Sequence, residues 1–208
     1  RLVEAEHELR KALSIHPDNA DWHFNLGLTL EASCRDGEAL ERFEHAAELA
    51  PGQLHLMLAA GSMSLRLEEW KKARSWFEMA RRHDATSEDS YAGLIEAWNG
   101  LADHDEAEAT FYMAEWSLEE PSALCHAAMA HVLMSQSDWK RAESCLRTAL
   151  SIDPQLPDLR GRLALVLART GRGDQAMTML NRVLRDNAED LEALFASATL
   201  LDELSRWP

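Results

Sequence analysis

Apolar residues recur along the chain at the three- and four-residue spacing that places them on one face of an α-helix. One such run contains Trp22, Leu26 and Leu30, and the next contains Ala39, Phe43, Ala46 and Ala47. Successive runs are separated by short polar stretches, so the pattern predicts a series of amphipathic helices rather than one long helix. No run of 18 consecutive apolar residues occurs, and the sequence therefore predicts no segment that inserts into a membrane.

Three of the predicted helices end in the same way. The segments Ala-Leu-Ser-Ile-His, Ala-Ala-Glu-Leu-Ala and Ala-Leu-Ser-Ile-Asp are followed by Pro17, Pro51 and Pro154. The first interval is 34 residues and the second is 103, which is three periods of 34 plus one residue. Because proline cannot continue a helix, these residues mark a shared helix end. The chain therefore contains an internal repeat of 34 residues.

We number the positions of the repeat so that residue Ala20 of the chain is position 1. Small residues then recur at some positions of the repeat and large residues at others. Position 20 is alanine in Ala5, Ala39, Ala73, Ala107, Ala142 and Ala176. Position 24 is large and apolar in Leu9, Phe43, Phe77, Phe111, Leu146 and Leu180, and position 8 is small in Gly27, Gly61, Ala130, Ala164 and Ala198 but not in Ile95. Two antiparallel helices need small residues where their backbones approach, with large residues beside the contact.

This pattern resembles the tetratricopeptide repeat, a helix–turn–helix unit of 34 residues. The resemblance covers essentially the whole chain and implies an all-α fold, a right-handed superhelical solenoid of antiparallel helix pairs forming one array over residues 1–208. Complete repeats are predicted at 20–53, 54–87, 88–122, 123–156 and 157–190, with a second helix alone at 1–19 and a first or capping helix at 191–208. First helices are expected near 20–33, 54–67, 88–101, 123–136, 157–170 and 191–205. Second helices are expected near 2–15, 37–49, 70–82, 104–117, 139–151 and 173–186.

The resemblance also implies a binding groove, because first helices line the concave face of such arrays. The outward positions carried over to this sequence hold the groove residues Phe24, Leu28, His55, Leu58, Ser62, Leu65, Glu96, Asn99, His131, Met134, Leu165, Arg169 and Phe195. Exposed apolar stripes usually mark interaction surfaces, and an amphipathic helix or extended peptide would cover this one. The alternative is that these side chains are already buried against neighbouring repeats. The carboxylate clamp known in this family is not expected, because the lysines Lys11, Lys71, Lys72 and Lys140 all lie outside the first helices.

Charge is distributed unevenly. The net charge is −15, from 21 basic and 36 acidic residues, which disfavours nucleic acid and anionic lipid as partners. Residues 88–122 carry ten acidic residues and no lysine or arginine. Acids at helix starts favour the helix dipole, but Glu115, Glu119 and Glu120 lie near a predicted helix end. We define these three as the acidic patch and expect them either to bind a basic partner segment or to form a solvated face.

The third complete repeat departs from the others in two further respects. Ile95 stands at the small-residue position 8 and is expected to separate the two helices of the repeat. Gly93 and Gly100 lower helix propensity by about 1 kcal/mol each, so this repeat is expected to be locally weak.

Catalytic and metal-binding patterns are missing from the sequence. His126 and His131 are five residues apart and so do not share a helix face, and Cys34, Cys125 and Cys145 form no CxxC pair. No nucleotide-binding glycine motif, GxSxG motif or distinctive triad spacing occurs, and Gly171 and Gly173 are those of a turn. We therefore expect no catalytic residue, no cofactor and no metal.

These features predict a non-catalytic scaffold that binds a partner protein or peptide, basic or amphipathic, in its groove. One alternative is a regulatory or substrate-recruiting segment of a larger enzyme. Another is a self-assembling module that forms homo-oligomers through its terminal helices. The cysteine usage favours a reducing, cytoplasmic compartment, while the start at Arg1, inside the repeat pattern, leaves a periplasmic location open.

Overall fold

The computed structural model describes residues 1–186 and 191–206, and within these ranges the chain is built from α-helices with no β-strand. The helices are α1 (Leu2–Ile15), α2 (Ala20–Glu31), α3 (Asp36–Leu49), α4 (Leu54–Arg66), α5 (Trp70–His83), α6 (Glu88–Gly100), α7 (His104–Ser117), α8 (Ala123–Ser135), α9 (Trp139–Ile152), α10 (Leu159–Arg169), α11 (Gly173–Asp186) and α12 (Leu191–Arg206). Every helix begins and ends within about two residues of its predicted bounds, as expected for boundaries inferred from periodicity.

Polar side chains fix the starts of several first helices. The Asn19 side chain accepts a hydrogen bond from the Trp22 backbone N–H at 2.9 Å before α2. Ser87 caps α6 in the same way by accepting from the Ser90 backbone N–H at 3.3 Å. Such caps satisfy backbone N–H groups that have no partner inside the helix and typically contribute about 1 kcal/mol. Helix starts are thus set by local chemistry as well as by the apolar pattern.

The turn inside each complete repeat contains one left-handed residue at position 15. These residues are Cys34, Glu68, Ala102, Ser137 and Gly171, with φ of 57°, 58°, 57°, 61° and 76°. Backbone hydrogen bonds close each turn; for example, the Cys34 N–H donates to the Glu31 carbonyl at 2.9 Å and the Arg35 N–H to the Leu30 carbonyl at 3.0 Å. The sequence signals this conformation only at Gly171, because the other residue types rarely adopt it.

The chain divides into two compact units, Arg1–Met113 and Ala114–Pro208. In the first, α2 packs on α3 and α4 on α5, and α3–α4 and α5–α6 contacts join successive repeats. In the second, α8 packs on α9 and α10 on α11, and α12 packs on both α10 and α11. Each unit is therefore an all-α repeat solenoid in which helices contact mainly their neighbours in sequence.

Glycines at the helix contacts receive aromatic rings from the facing helix. A Cβ atom added to Gly27 would lie 2.6 Å from the Phe43 ring, and one added to Gly61 would lie 2.8 Å from the Phe77 ring. Both pairs join position 8 to position 24 of one repeat, which is the small–large contact predicted from the sequence. Real Cβ contacts are not this short, so an alanine at either position would displace the ring.

Gly93 and Gly100 have the same role between repeats, which corrects their interpretation as points of weakness alone. A Cβ atom on Gly93 would lie 2.4 Å from the Phe77 ring, and one on Gly100 would lie 2.2 Å from the Trp70 ring. Helix α6 therefore loses helix propensity at these glycines but gains close packing against α5. Ile95, two residues after Gly93, is fully buried.

An ion pair joins α9 to the turn between α10 and α11. The Arg172 guanidinium donates to both carboxylate oxygens of Glu143, with the bond to Oε1 at 3.0 Å. The Glu143 side chain is 14% exposed, so the pair is screened less than a surface ion pair. The hydrogen bond from Arg172 holds the pKa of the Glu143 carboxyl below its ordinary value.

Candidate functional site

Groove residues of the first compact unit lie on α2, α4 and α6 and none is fully buried. Leu28, His55 and Ser62 are exposed, and Leu28 keeps 43% of its surface accessible to solvent. The other groove residues of this unit are half-buried, namely Phe24, Leu58, Leu65, Glu96 and Asn99. The predicted face is therefore accessible to solvent along all three first helices, but to an unequal extent.

The half-buried apolar members partly serve the packing of the array. Phe24 forms an edge-to-face contact with His55, with ring centroids 5.2 Å apart, and so joins α2 to α4. Leu58 and Leu65 pack against the buried cluster that contains Phe77 and Leu94. Contact with neighbouring repeats, the alternative raised by the sequence, thus accounts for part of the apolar character of this face.

Groove residues of the second compact unit lie on α8, α10 and α12. His131 and Phe195 are exposed, while Met134 and Leu165 are half-buried. The guanidinium of Arg169, at the end of α10, lies over the Trp139 ring, 5.9 Å from its centroid, in a cation–π arrangement. Phe195 is 76% exposed, a large value for an aromatic residue on a helix that packs on two others.

A cavity between α10 and α12 brings two of these residues together. Its volume is about 550 Å³, within the range of ligand sites in proteins. Leu165 and Phe195 form part of its wall, with Leu191 and Leu200. Asp158, Arg162 and Thr199 supply polar groups at the same cavity. The cavity therefore combines an apolar wall with charges of both signs.

The acidic patch is exposed at all three positions. Its first member, Glu115, lies 3.5 Å from Nε2 of His126, whose side chain is 12% exposed. Burial lowers the pKa of His126, which favours the neutral ring at neutral pH. Trp116, beside Glu115 on α7, is 90% exposed. The end of α7 thus presents an exposed aromatic side chain next to Glu115, with Glu119 and Glu120 shortly after it in the sequence.

Two further observations concern metal-ligating and nucleophilic side chains in the described ranges. No group of three His, Cys, Asp or Glu residues there is placed to hold a metal ion. Burial raises the pKa of the Cys145 thiol, which disfavours the reactive thiolate. In the part of the chain that the structure describes, no helix is both long and apolar enough to cross a membrane.

Two features of these surfaces were not predicted from the sequence. Leu191 and Leu200 were not among the groove residues, although both line the α10–α12 cavity. A second cavity, between α3 and α5, contains no groove residue. The sequence indicates this cavity only through the small side chain of Ala47, which stands at a position where the other repeats carry larger side chains.

Comparison with known proteins gives one curated relative and several solved structures. Cellulose synthase operon protein C of Pseudomonas fluorescens (strain SBW25) is 24% identical over 225 residues, covering all of this chain and 18% of the relative. The chain thus spans less than a fifth of that protein. A tetratricopeptide repeat protein of Parabacteroides merdae superposes with a TM-score of 0.77 at 17% identity, covering 99% of this chain and 80% of that one. For a thermophilic TPR protein of Thermus thermophilus, the TM-score is 0.74 at 22% identity, covering 88% of this chain and 98% of that one.

Two models of the tetratricopeptide repeat match the chain directly, one over residues 2–53 and the other over residues 133–200. Together the matched segments make up more than half of the sequence. The match at 2–53 lies in the first compact unit and the match at 133–200 lies in the second, so both carry the repeat. Proteins of this kind are in general protein-interaction scaffolds without catalytic activity. The chain belongs to the tetratricopeptide repeat family.

Proposed function

We propose that the chain is a non-catalytic scaffold that binds a peptide or amphipathic helix of a partner protein on the face formed by its first helices. The observation that carries this proposal is the cavity of about 550 Å³ between α10 and α12, lined by the groove residues Leu165 and Phe195. An apolar cavity beside a phenylalanine that is 76% exposed suits one anchoring side chain of a partner.

Charges at the cavity support a peptide rather than a purely apolar ligand. Asp158 and Arg162 line the same cavity as Leu165. A partner segment that carries both an apolar anchor and polar groups would satisfy both kinds of contact. The half-buried Phe24 and Leu58 of the first compact unit offer further apolar surface on first helices.

Affinity capture from a cell extract tests this proposal. The wild-type chain is compared with the Phe195→Ala and Leu165→Ala variants and with a Leu201→Ala control. Leu201 is 56% exposed on α12 but does not line the cavity. Burying a phenylalanine or leucine side chain is worth about 1.5–3 kcal/mol, so a partner bound here should be depleted at least about tenfold by each cavity variant. Partners retained equally by all four proteins would contradict the proposal.

A second candidate function follows from the length of the curated relative. Because the chain spans 18% of cellulose synthase operon protein C, the same binding role is compatible with a recruiting or regulatory segment inside a larger enzyme. The full-length gene decides between the two candidates. A catalytic domain in the same polypeptide would favour the second, and repeats alone would favour the independent scaffold.

A further inference from the structure

The cavity between α3 and α5 lies between the second helices of two adjacent repeats and contains no groove residue. Its volume is about 470 Å³, and its apolar lining consists of Ala47, Pro51, Met57, Trp76 and Met79. Ala47 and Met57 are 2% and 3% exposed, whereas Met79 is 38% exposed. The cavity is therefore apolar to its base and open at its mouth.

The repeat pattern explains why the cavity occurs at this place. Ala47 occupies position 28 of its repeat, and the corresponding residues elsewhere are Leu13, Arg81, Glu115, Leu150 and Leu184. In the next repeat, the Arg81 guanidinium lies 3.5 Å from the sulfur of Met113, so its side chain spans from α5 to α7. In that repeat, the long side chain at position 28 thus extends to the next second helix. The small side chain of Ala47 leaves the gap between α3 and α5 open.

The walls of the cavity are held in place without a partner. The Trp76 indole N–H donates to Oε1 of Glu44 on α3 at 3.4 Å. The Trp76 ring also packs against a buried cluster that includes Ala47 and Met57. Because the side chains that form the walls are already ordered, they lose little conformational entropy when a ligand binds, which favours binding.

Two charges of opposite sign stand at the rim. Glu48 of α3 and Arg82 of α5 line the cavity, and their side chains are 68% and 72% exposed. Their contacts within the chain are long, at 3.8 Å from Glu48 to the His45 ring and 3.7 Å from Arg82 to the carboxylate of Glu78. Both charges are thus available to groups of opposite charge on an incoming molecule.

We propose that this cavity is a second docking site, separate from the groove, for a segment of a partner protein. The segment inserts one leucine- or phenylalanine-sized side chain between α3 and α5. It also carries a basic residue that pairs with Glu48 and an acidic residue that pairs with Arg82. The cavity supplies affinity through apolar burial, and the two rim charges fix the direction in which the segment lies.

A library of short random peptides displayed on phage provides the probe. Peptides are selected on the immobilised wild-type chain with an excess of the soluble Ala47→Leu variant as competitor. This substitution places at position 28 the side chain that three other repeats already carry there, so it fills the cavity with a residue suited to the repeat. Thermal unfolding of the variant at or above the wild-type temperature checks that the fold is kept.

The expected peptides share one large apolar residue with a basic and an acidic residue beside it. Their affinity should fall about tenfold or more in Ala47→Leu, because the anchor loses its place. Glu48→Lys and Arg82→Glu should each weaken binding by about threefold, and a peptide with the opposing charge reversed should recover it. Glu41→Lys is the matched control, since Glu41 is also on α3, is 70% exposed and does not line the cavity.

Two results would overturn the proposal. One is a selection that yields no peptide dependent on the open cavity, and the other is a set of peptides that bind the Glu48→Lys and Glu41→Lys variants equally. Phe195→Ala and Leu165→Ala should leave these peptides unaffected, because both residues belong to the α10–α12 cavity. Failure of this second site is thus distinguishable from failure of the groove proposal.

Discussion

Replacing Gly93 with alanine should destabilise the chain, although alanine is the better helix former. The three tip atoms of the Phe77 ring lie 2.4, 2.4 and 2.5 Å from the position of the new Cβ atom. Carbon atoms pack best at about 3.5–4.0 Å, so the ring would have to move by about 1 Å. The same three atoms are already only 2.8–3.0 Å from where a Cβ atom of Gly61 would lie. The ring therefore has no free space on the α4 side.

The two opposing effects can be compared in magnitude. Overpacking of this severity costs about 3 kcal/mol, the upper end of its usual range. The gain in helix propensity offsets about 1 kcal/mol of this cost. The net loss of about 2 kcal/mol corresponds to a melting temperature lower by about 4–8 °C for a chain of this length. Gly37→Ala in α3 is the control: a Cβ atom there meets nothing within 4 Å, so it should raise stability by about 0.5 kcal/mol.

Thermal and urea unfolding followed by circular dichroism measure both variants. A Phe77→Leu substitution then tests the cause, because a shorter side chain makes room for the new methyl group. The double variant Gly93→Ala with Phe77→Leu should be more stable than the sum of the single effects by about 1 kcal/mol or more. The reasoning is refuted if Gly93→Ala stabilises the chain as Gly37→Ala does, or if the two substitutions are strictly additive.

Three further predictions concern an ion pair, the acidic patch and a turn. Glu143→Gln should cost about 1–3 kcal/mol at neutral pH. The Arg172 hydrogen bond lowers the pKa of Glu143 in the folded state. The stability that the ion pair contributes is therefore present above the ordinary glutamate pKa and is lost as the pH falls through the lower folded-state pKa. Wild type and variant should therefore converge in stability when unfolding is measured at decreasing pH. Replacing all three residues of the acidic patch with glutamine should weaken binding of a basic partner and flatten its salt dependence, and an unchanged affinity across salt concentrations would favour the solvated face. Ala102→Gly should raise the melting temperature by about 2–4 °C, since φ of 57° costs alanine about 1 kcal/mol more than glycine; a decrease would show that the turn is not strained.

The helices could be predicted from the sequence because each is specified redundantly. The spacing of apolar residues predicts each helix. In the second helices, the alanine at position 20 and the large residue at position 24 also predict the packing partner, and a proline marks the end of three of them. The predicted bounds of α7, 104–117, agree with the structure to the residue. Local periodicity and pairwise packing agree at these positions, which is the condition under which a single sequence is informative.

Features that depend on the space between helices could not be predicted in this way. The sequence relates Gly93 only to helix propensity, because nothing local indicates that Phe77 reaches across to the next repeat. The left-handed turns at Glu68 and Ala102 carry no glycine to mark them. The accessibility of Leu58 and Phe195 differs although both are groove residues, because exposure depends on which neighbours each helix has. The cavity beside Ala47 leaves only a weak trace in the sequence, because one alanine at position 28 does not by itself indicate an empty volume.

The tip of the Phe77 ring lies between the backbones of α4 and α6, and this position determines how the first compact unit unfolds. The ring packs against Gly61 of its own repeat and against Gly93 of the next repeat. Neither repeat can therefore unfold locally without exposing the ring to solvent. In a linear array, coupling of this kind between nearest neighbours converts separately weak repeats into one cooperative segment. Amide protons of α4, α5 and α6 should therefore exchange with solvent through a shared opening event, with similar free energies. Two residues without side chains, Gly61 and Gly93, are what allow this cooperativity to pass along the chain.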